Sequence, residues 1–104
     1  MYLAIADDGV ALHQPEVVTD FYASYWARLT QQRIAAVLAE HDAGELLPDG
    51  AHVMVPVATL RRLAAGRVPA GWDAEFDGML ATARSRGWLS DDGDAVRAHL
   101  ERER

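Results

Sequence analysis

Apolar and polar positions change period several times along the chain. Tyr2–Ala6 and Val10–His13 are short apolar runs on either side of Asp7-Asp8-Gly9. Gly accepts the positive φ of a tight turn, so this stretch predicts a β-hairpin. Pro15 suits the first turn of a following helix, where its missing N–H costs nothing. From Glu16 to Ala43 there is neither Gly nor Pro, and apolar residues recur at helical spacing. Val17, Val18, Phe21, Tyr22, Tyr25, Trp26 and Leu29 fall on one half of such a helix. Ile34, Val37, Leu38 and His41 form a narrower stripe, turned about 160° from the first if the helix is straight. Two arrangements follow. Either the helix breaks between Thr30 and Arg33, with Thr30 as the N-cap of a second helix, or one long helix serves partners on opposite sides.

Gly44 then closes the second stripe as a C-cap, and Leu47-Pro48-Asp49-Gly50 reads as a turn. Ala51–Val55 is a short β-rich run. Pro56–Ala65 reads as a helix closed by Gly66, with Val57, Leu60, Leu63 and Ala64 inward and Arg61 and Arg62 outward. After a loop over residues 67–71, Trp72–Arg86 reads as a helix closed by Gly87, its apolar stripe being Trp72, Phe76, Met79, Leu80 and Ala83. Trp88–Ser90, the turn Asp91-Asp92-Gly93-Asp94 and Ala95–Leu100 read as strand, turn and strand, and residues 101–104 as a solvated tail.

Composition narrows the class. The 104 residues are half apolar and one quarter charged, the profile of one globular domain. No run is long or apolar enough to span a membrane, and the chain starts with no leader pattern, so a cytoplasmic protein is expected. With no Cys there are no disulfides and no thiol chemistry. All ten basic residues are Arg and Asn is absent, a pattern of GC-rich coding that weakens Arg abundance as a functional sign. The net charge is −6, carried by residues 1–50, whereas residues 51–104 balance. A DNA reader needs a basic face to neutralise phosphates.

The order helix 33–43, strand 51–55, helix 56–65, helix 72–86, hairpin 88–100 resembles a winged-helix domain. Leu80, Gly87, Trp88, Leu89 and the Asp-Gly turn stand where that family ends its third helix and builds its wing. The resemblance covers residues 33–100. It implies an α+β fold of three helices and a C-terminal β-hairpin wing, here preceded by the N-terminal hairpin and the aromatic helix. It also implies DNA binding through the third helix. The outward side of that helix, however, holds Ala74, Gly78, Ala81 and Ser85, none of which reads base edges, and its first half carries Asp73, Glu75 and Asp77, which repel phosphate.

Two surfaces remain as candidates. Phe21, Tyr22, Tyr25, Trp26 and Leu29 give an apolar arc of about 180°, wider than one core needs; with the small residues Ala74, Gly78 and Ala81 they suggest an interface for a protein partner or a second copy of the chain. Burial between hairpin and core is the competing account of the arc, and solvated surface that of the small residues. Arg61, Arg62, Arg67 and Arg97 are the alternative, a nucleic-acid-binding patch; pairing with nearby carboxylates is the bland account of these. His13, His41, His52 and His99 lack metal spacing, no calcium loop closes after Asp91, and no catalytic serine or phosphate-cradling motif is present. The expectation is therefore a non-enzymatic binding protein of winged-helix type without metal or cofactor, homodimeric or protein-bound, with a small enzyme whose site matches no motif, in a cleft between the N-terminal element and the winged-helix part, as the third reading.

Overall fold

The computed structural model describes residues 1–103. Strands β1 (Tyr2–Ala6) and β2 (Gly9–His13) are antiparallel, with Tyr2 opposite His13 and Ala6 opposite Gly9. Their alternation is that of a half-buried sheet: Leu3, Ile5 and Leu12 are buried, and Tyr2, Ala4 and His13 point the other way. Strand β3 (Tyr22–Tyr25) lies parallel to β1, placing Tyr22 beside Tyr2. Helix α1 (Gln31–Glu40) follows; Thr30 is its N-cap, the hydroxyl accepting the Arg33 N–H at 3.1 Å. Then come β4 (Glu45–Leu46), β5 (His52–Pro56), α2 (Val57–Ala64), α3 (Trp72–Ser85) and β6 (Ala95–Arg102).

The strands form one mixed sheet in the order β2-β1-β3-β6-β5-β4. It curls into a half-barrel. Helix α1 packs on β1 and β2 towards one edge and on β4 at the other, and α2 packs on both β2 and β5, so the sheet wraps round these helices. Ile34, Val37, Leu38, Leu60, Trp72 and Phe76 join Leu3, Ile5, Val53, Val55, Val96, Ala98 and Leu100 in a single core. The convex face, away from α1 and α2, carries Tyr2, His13, Tyr22, His52 and His99.

This architecture overturns the winged-helix arrangement. The last strand is not the arm of a wing: β6 lies inside the sheet, parallel to β3 and antiparallel to β5. Its alternation explains why, since Val96, Ala98 and Leu100 are all buried. The supposed partner strand contributes a single bridge, Leu89 to Val96. Residues 101 and 102 are not tail: their backbone pairs with Ser24 and Tyr25 while their side chains stay exposed. The N-terminal hairpin is an integral third of the sheet rather than an appendage.

Residues 17–29 are not helical. Strand β3 takes Tyr22–Tyr25 instead, and Leu29 N–H closes a turn onto the Trp26 carbonyl at 2.9 Å. Aromatic residues favour the pleated surface of a sheet, and a strand there buries Ala23 and half-buries Tyr25 against the core, with Tyr22 on the other face. A helix would have left half of the aromatic arc in water.

Candidate functional site

A concavity lies where β6 changes neighbours. Ahead of Ala98, the edge of β6 away from β5 is bridged by Leu89, and the Arg97 N–H donates to the Trp88 carbonyl at 2.7 Å. From Leu100 onward the same edge is taken by β3. Between these, residues 18–21 swing away from the sheet. They are tied down from outside: the Met1 ammonium donates to the Val17 carbonyl at 3.0 Å and to the Asp20 carbonyl at 3.2 Å, and the Trp72 Nε1–H donates to the buried Pro15 carbonyl at 2.6 Å. Burial of the Met1 ammonium lowers its pKa, against the pull of Asp20 and Glu16.

The resulting cleft encloses about 1050 Å³, at the upper end of small-ligand pockets. One wall is the α3 face bearing Glu75, Gly78, Met79, Thr82 and Ala83; the others are residues 18–22, Trp88 and the β6 residues Val96, Arg97, His99 and Glu101, with His52 reaching in from β5. Gly78 makes the helix wall low: a Cβ there would meet no heavy atom within 4 Å. Trp88 is 38% exposed, and the Arg86 guanidinium carbon sits 5.2 Å from its ring centre.

His52 is oriented by a carboxylate. Asp49 Oδ2 lies 2.7 Å from His52 Nδ1, and Asp49 Oδ1 accepts the Ala51 and His52 N–H groups at 2.8 and 3.1 Å. These bonds, the Ala51 one foremost, hold the Asp49 carboxyl below the usual range. An ionised carboxylate only accepts, so Nδ1 of His52 is the donor of this bond. His99 sits directly opposite His52 in the ladder, ring centres 5.6 Å apart and planes at 72°. Burial, then Tyr2, Glu101 and Asp20, raise the Tyr22 phenol above its ordinary value. With neutral imidazoles the cleft is slightly negative, three carboxylates (Asp20, Glu75, Glu101) facing two guanidinium groups (Arg86, Arg97). Such a site can hold hydrogen-bonding and aromatic groups; the described residues include no cluster of His, Asp and Glu able to hold a metal ion.

The structure brings Phe21, Tyr22 and Gly78 together at this cleft. Tyr25 and Leu29 pack against the core instead. Trp26 is 45% exposed beyond the end of β3, with the Arg28 guanidinium carbon 5.9 Å from its ring centre. Ala74 and Ala81 are exposed on α3 outside the cleft. The four arginines do not gather. Arg61 pairs with Asp73 at 3.1 Å and Asp77 at 2.8 Å and lies 4.8 Å over the Phe76 ring. Arg62 donates to the His41 carbonyl and Arg67 to the Leu63 carbonyl. Arg97 lines the cleft on the opposite wall from α3, with no carboxylate within 4.0 Å among the described residues. Two of the acids that would repel phosphate, Asp73 and Asp77, are thus themselves the partners of Arg61.

Sequence reasoning passed over His52, His99 and Trp88. The two histidines are 47 positions apart and share no motif; only the pairing of β5 with β6 joins them. Pro48-Asp49-Gly50 ahead of a strand did carry a signal, since an Asp in a turn caps the N–H groups two and three residues on. Compared with known proteins, the chain matches no family model, and no curated protein and no solved structure is significantly similar to it. No helix among the described residues is long and apolar enough to cross a membrane.

Proposed function

We propose that the chain is a non-enzymatic protein-binding module whose contact site is the cleft between α3 and β6. The observation that carries this reading is the convergence of Phe21 and Tyr22 with Gly78, from segments that share no local structure, on one open cavity that also holds Trp88, Arg86 and Arg97. Exposed aromatic and arginine side chains around a concavity are the composition of binding hot spots. At about 1050 Å³ the cleft has room for more than a compact small molecule, which suits a segment of polypeptide.

The test is selection of displayed random peptides on the full chain, followed by amide-shift mapping of the winners by NMR. Enriched peptides should shift Phe21, Tyr22, Gly78 and Arg97. Gly78→Leu, which raises the helix wall, should weaken them about tenfold, the effect of closing a hot-spot pocket. Peptides that map elsewhere, or a selection that enriches nothing, would overturn the proposal.

A further inference from the structure

The convex face of the sheet carries a row of rings. His13 of β2 and Tyr2 of β1 are stacked, centres 4.9 Å apart and planes at 12°; Tyr2 and Tyr22 of β3 are stacked at 5.1 Å and 14°. These spacings are close to the ~4.8 Å between paired strands, so the column is strand pairing repeated in side chains. Farther across the same face, His99 of β6 and His52 of β5 stand opposite each other. The register puts His99 next after Tyr22, because Ala23 is paired with Leu100. Yet the row is broken there. β3 pairs with β6 from Ala23 onward, and among the described residues Tyr22 and His99 form no ring pair. One face of Tyr22 is covered by Tyr2, and the other looks into the cleft that Tyr22 and His99 both line.

We infer that the cleft seats a planar aromatic side chain of the partner protein, a Trp, Tyr or Phe that enters between Tyr22 and His99 and continues the column. This rests on the protein-binding reading above and names what the partner must present. Offset stacking on the free Tyr22 face supplies the attraction, and the absent side chain at Gly78 leaves the approach open. Charge decides between a side chain and a nucleotide. Asp20, Glu75 and Glu101 outnumber Arg86 and Arg97, and Arg86 is already placed over Trp88. A phosphate would enter a net negative field; an uncharged ring on a peptide meets no such opposition.

The probes are the blocked tripeptides Ac-Gly-Trp-Gly-NH₂ and Ac-Gly-Leu-Gly-NH₂ and adenosine monophosphate, each titrated into the isotope-labelled full chain and followed by NMR. The Trp peptide should give saturable shifts at Tyr22, Gly78 and His99, with ring-current shifts of the Tyr22 ring protons. The Leu peptide should bind about fivefold more weakly, the worth of one aromatic pair. Tyr22→Ala should weaken the Trp peptide by a similar factor. Gly78→Leu, which adds bulk to the α3 lining of the same cleft, should do the same in a protein whose melting temperature is undiminished. Equal binding of the Leu peptide, shifts confined to another surface, or no saturation by about 10 mM would each overturn the inference. So would adenosine monophosphate producing the same shifts at lower concentration. Selected peptides that bind the cleft without an aromatic residue would defeat this inference and leave the protein-binding reading standing; selection yielding no cleft binder would defeat both.

Discussion

Two glycines illustrate opposite constraints on single residues. Gly44 has φ +116°, and a Cβ there would overlap the Met54 carbonyl of the neighbouring strand. Gly44→Ala must displace backbone, so we expect a loss of more than about 3 kcal/mol in urea unfolding. Gly78 sits in the middle of α3 with open space around it, where Gly is a poor helix former. Gly78→Ala should stabilise by about 0.5–1 kcal/mol in the same measurement, which makes loss of peptide binding in position 78 variants readable as a site effect. Asp49 shows what a single carboxylate does to pH dependence. Its pKa is lowered in the folded chain, so its contribution is complete above the unfolded Asp value of about 3.9 and disappears as pH falls through the lower folded value. Melting temperature should therefore drop on that acid limb, and Asp49→Asn should flatten the drop. At this scale the sequence was half readable: Thr30 as a cap and Phe21, Tyr22 and Gly78 as surface candidates could be picked out from local pattern, while His52 and His99 could not, because what makes them neighbours is the register of β5 on β6.

Among the elements, α3 and the segment before β3 hold each other. The Trp72 indole N–H donates to the Pro15 carbonyl across 57 positions, and both partners are buried. Trp72→Phe removes the donor and strands the carbonyl, for an expected loss of about 1–3 kcal/mol in urea unfolding together with loosening of residues 15–20 in hydrogen exchange. The stretches 56–65 and 72–86 announced themselves as helices through an apolar stripe ended by Gly66 and Gly87, and α2 and α3 occupy them. Residues 17–29 misled because Phe21, Tyr22, Tyr25 and Trp26 satisfy a helical spacing and a strand's composition at once. Which period wins is decided by β1 and β6, whose open edges accept β3 on either side. No window of local sequence contains that information.

Over the whole molecule, a net charge of −6 and the engagement of Arg61, Arg62 and Arg67 by the chain's own groups both weigh against duplex binding. Fluorescence anisotropy with random-sequence DNA should show binding weaker than about 10⁻⁴ M even at low salt; tighter, steeply salt-dependent binding would restore the nucleic-acid alternative. The winged-helix order of elements was matched along the sequence and failed in space, since the same order permits the final strand to lie at a wing or between two others, and Val96, Ala98 and Leu100 need cover on the core side that only the second placement gives. That placement has a consequence for how the chain comes to be folded. Within the sheet, β2, β1 and β3 on one side are joined to β5 and β4 on the other by pairing with β6, and β6 follows these elements in the order of synthesis. Until it leaves the ribosome, the nascent chain carries two partial sheets with unsealed edges at β3 and β5, the kind of surface that pairs with the wrong neighbour. Closure then waits on contacts distant in sequence, so folding is expected to be slower than that of a helical bundle of similar length.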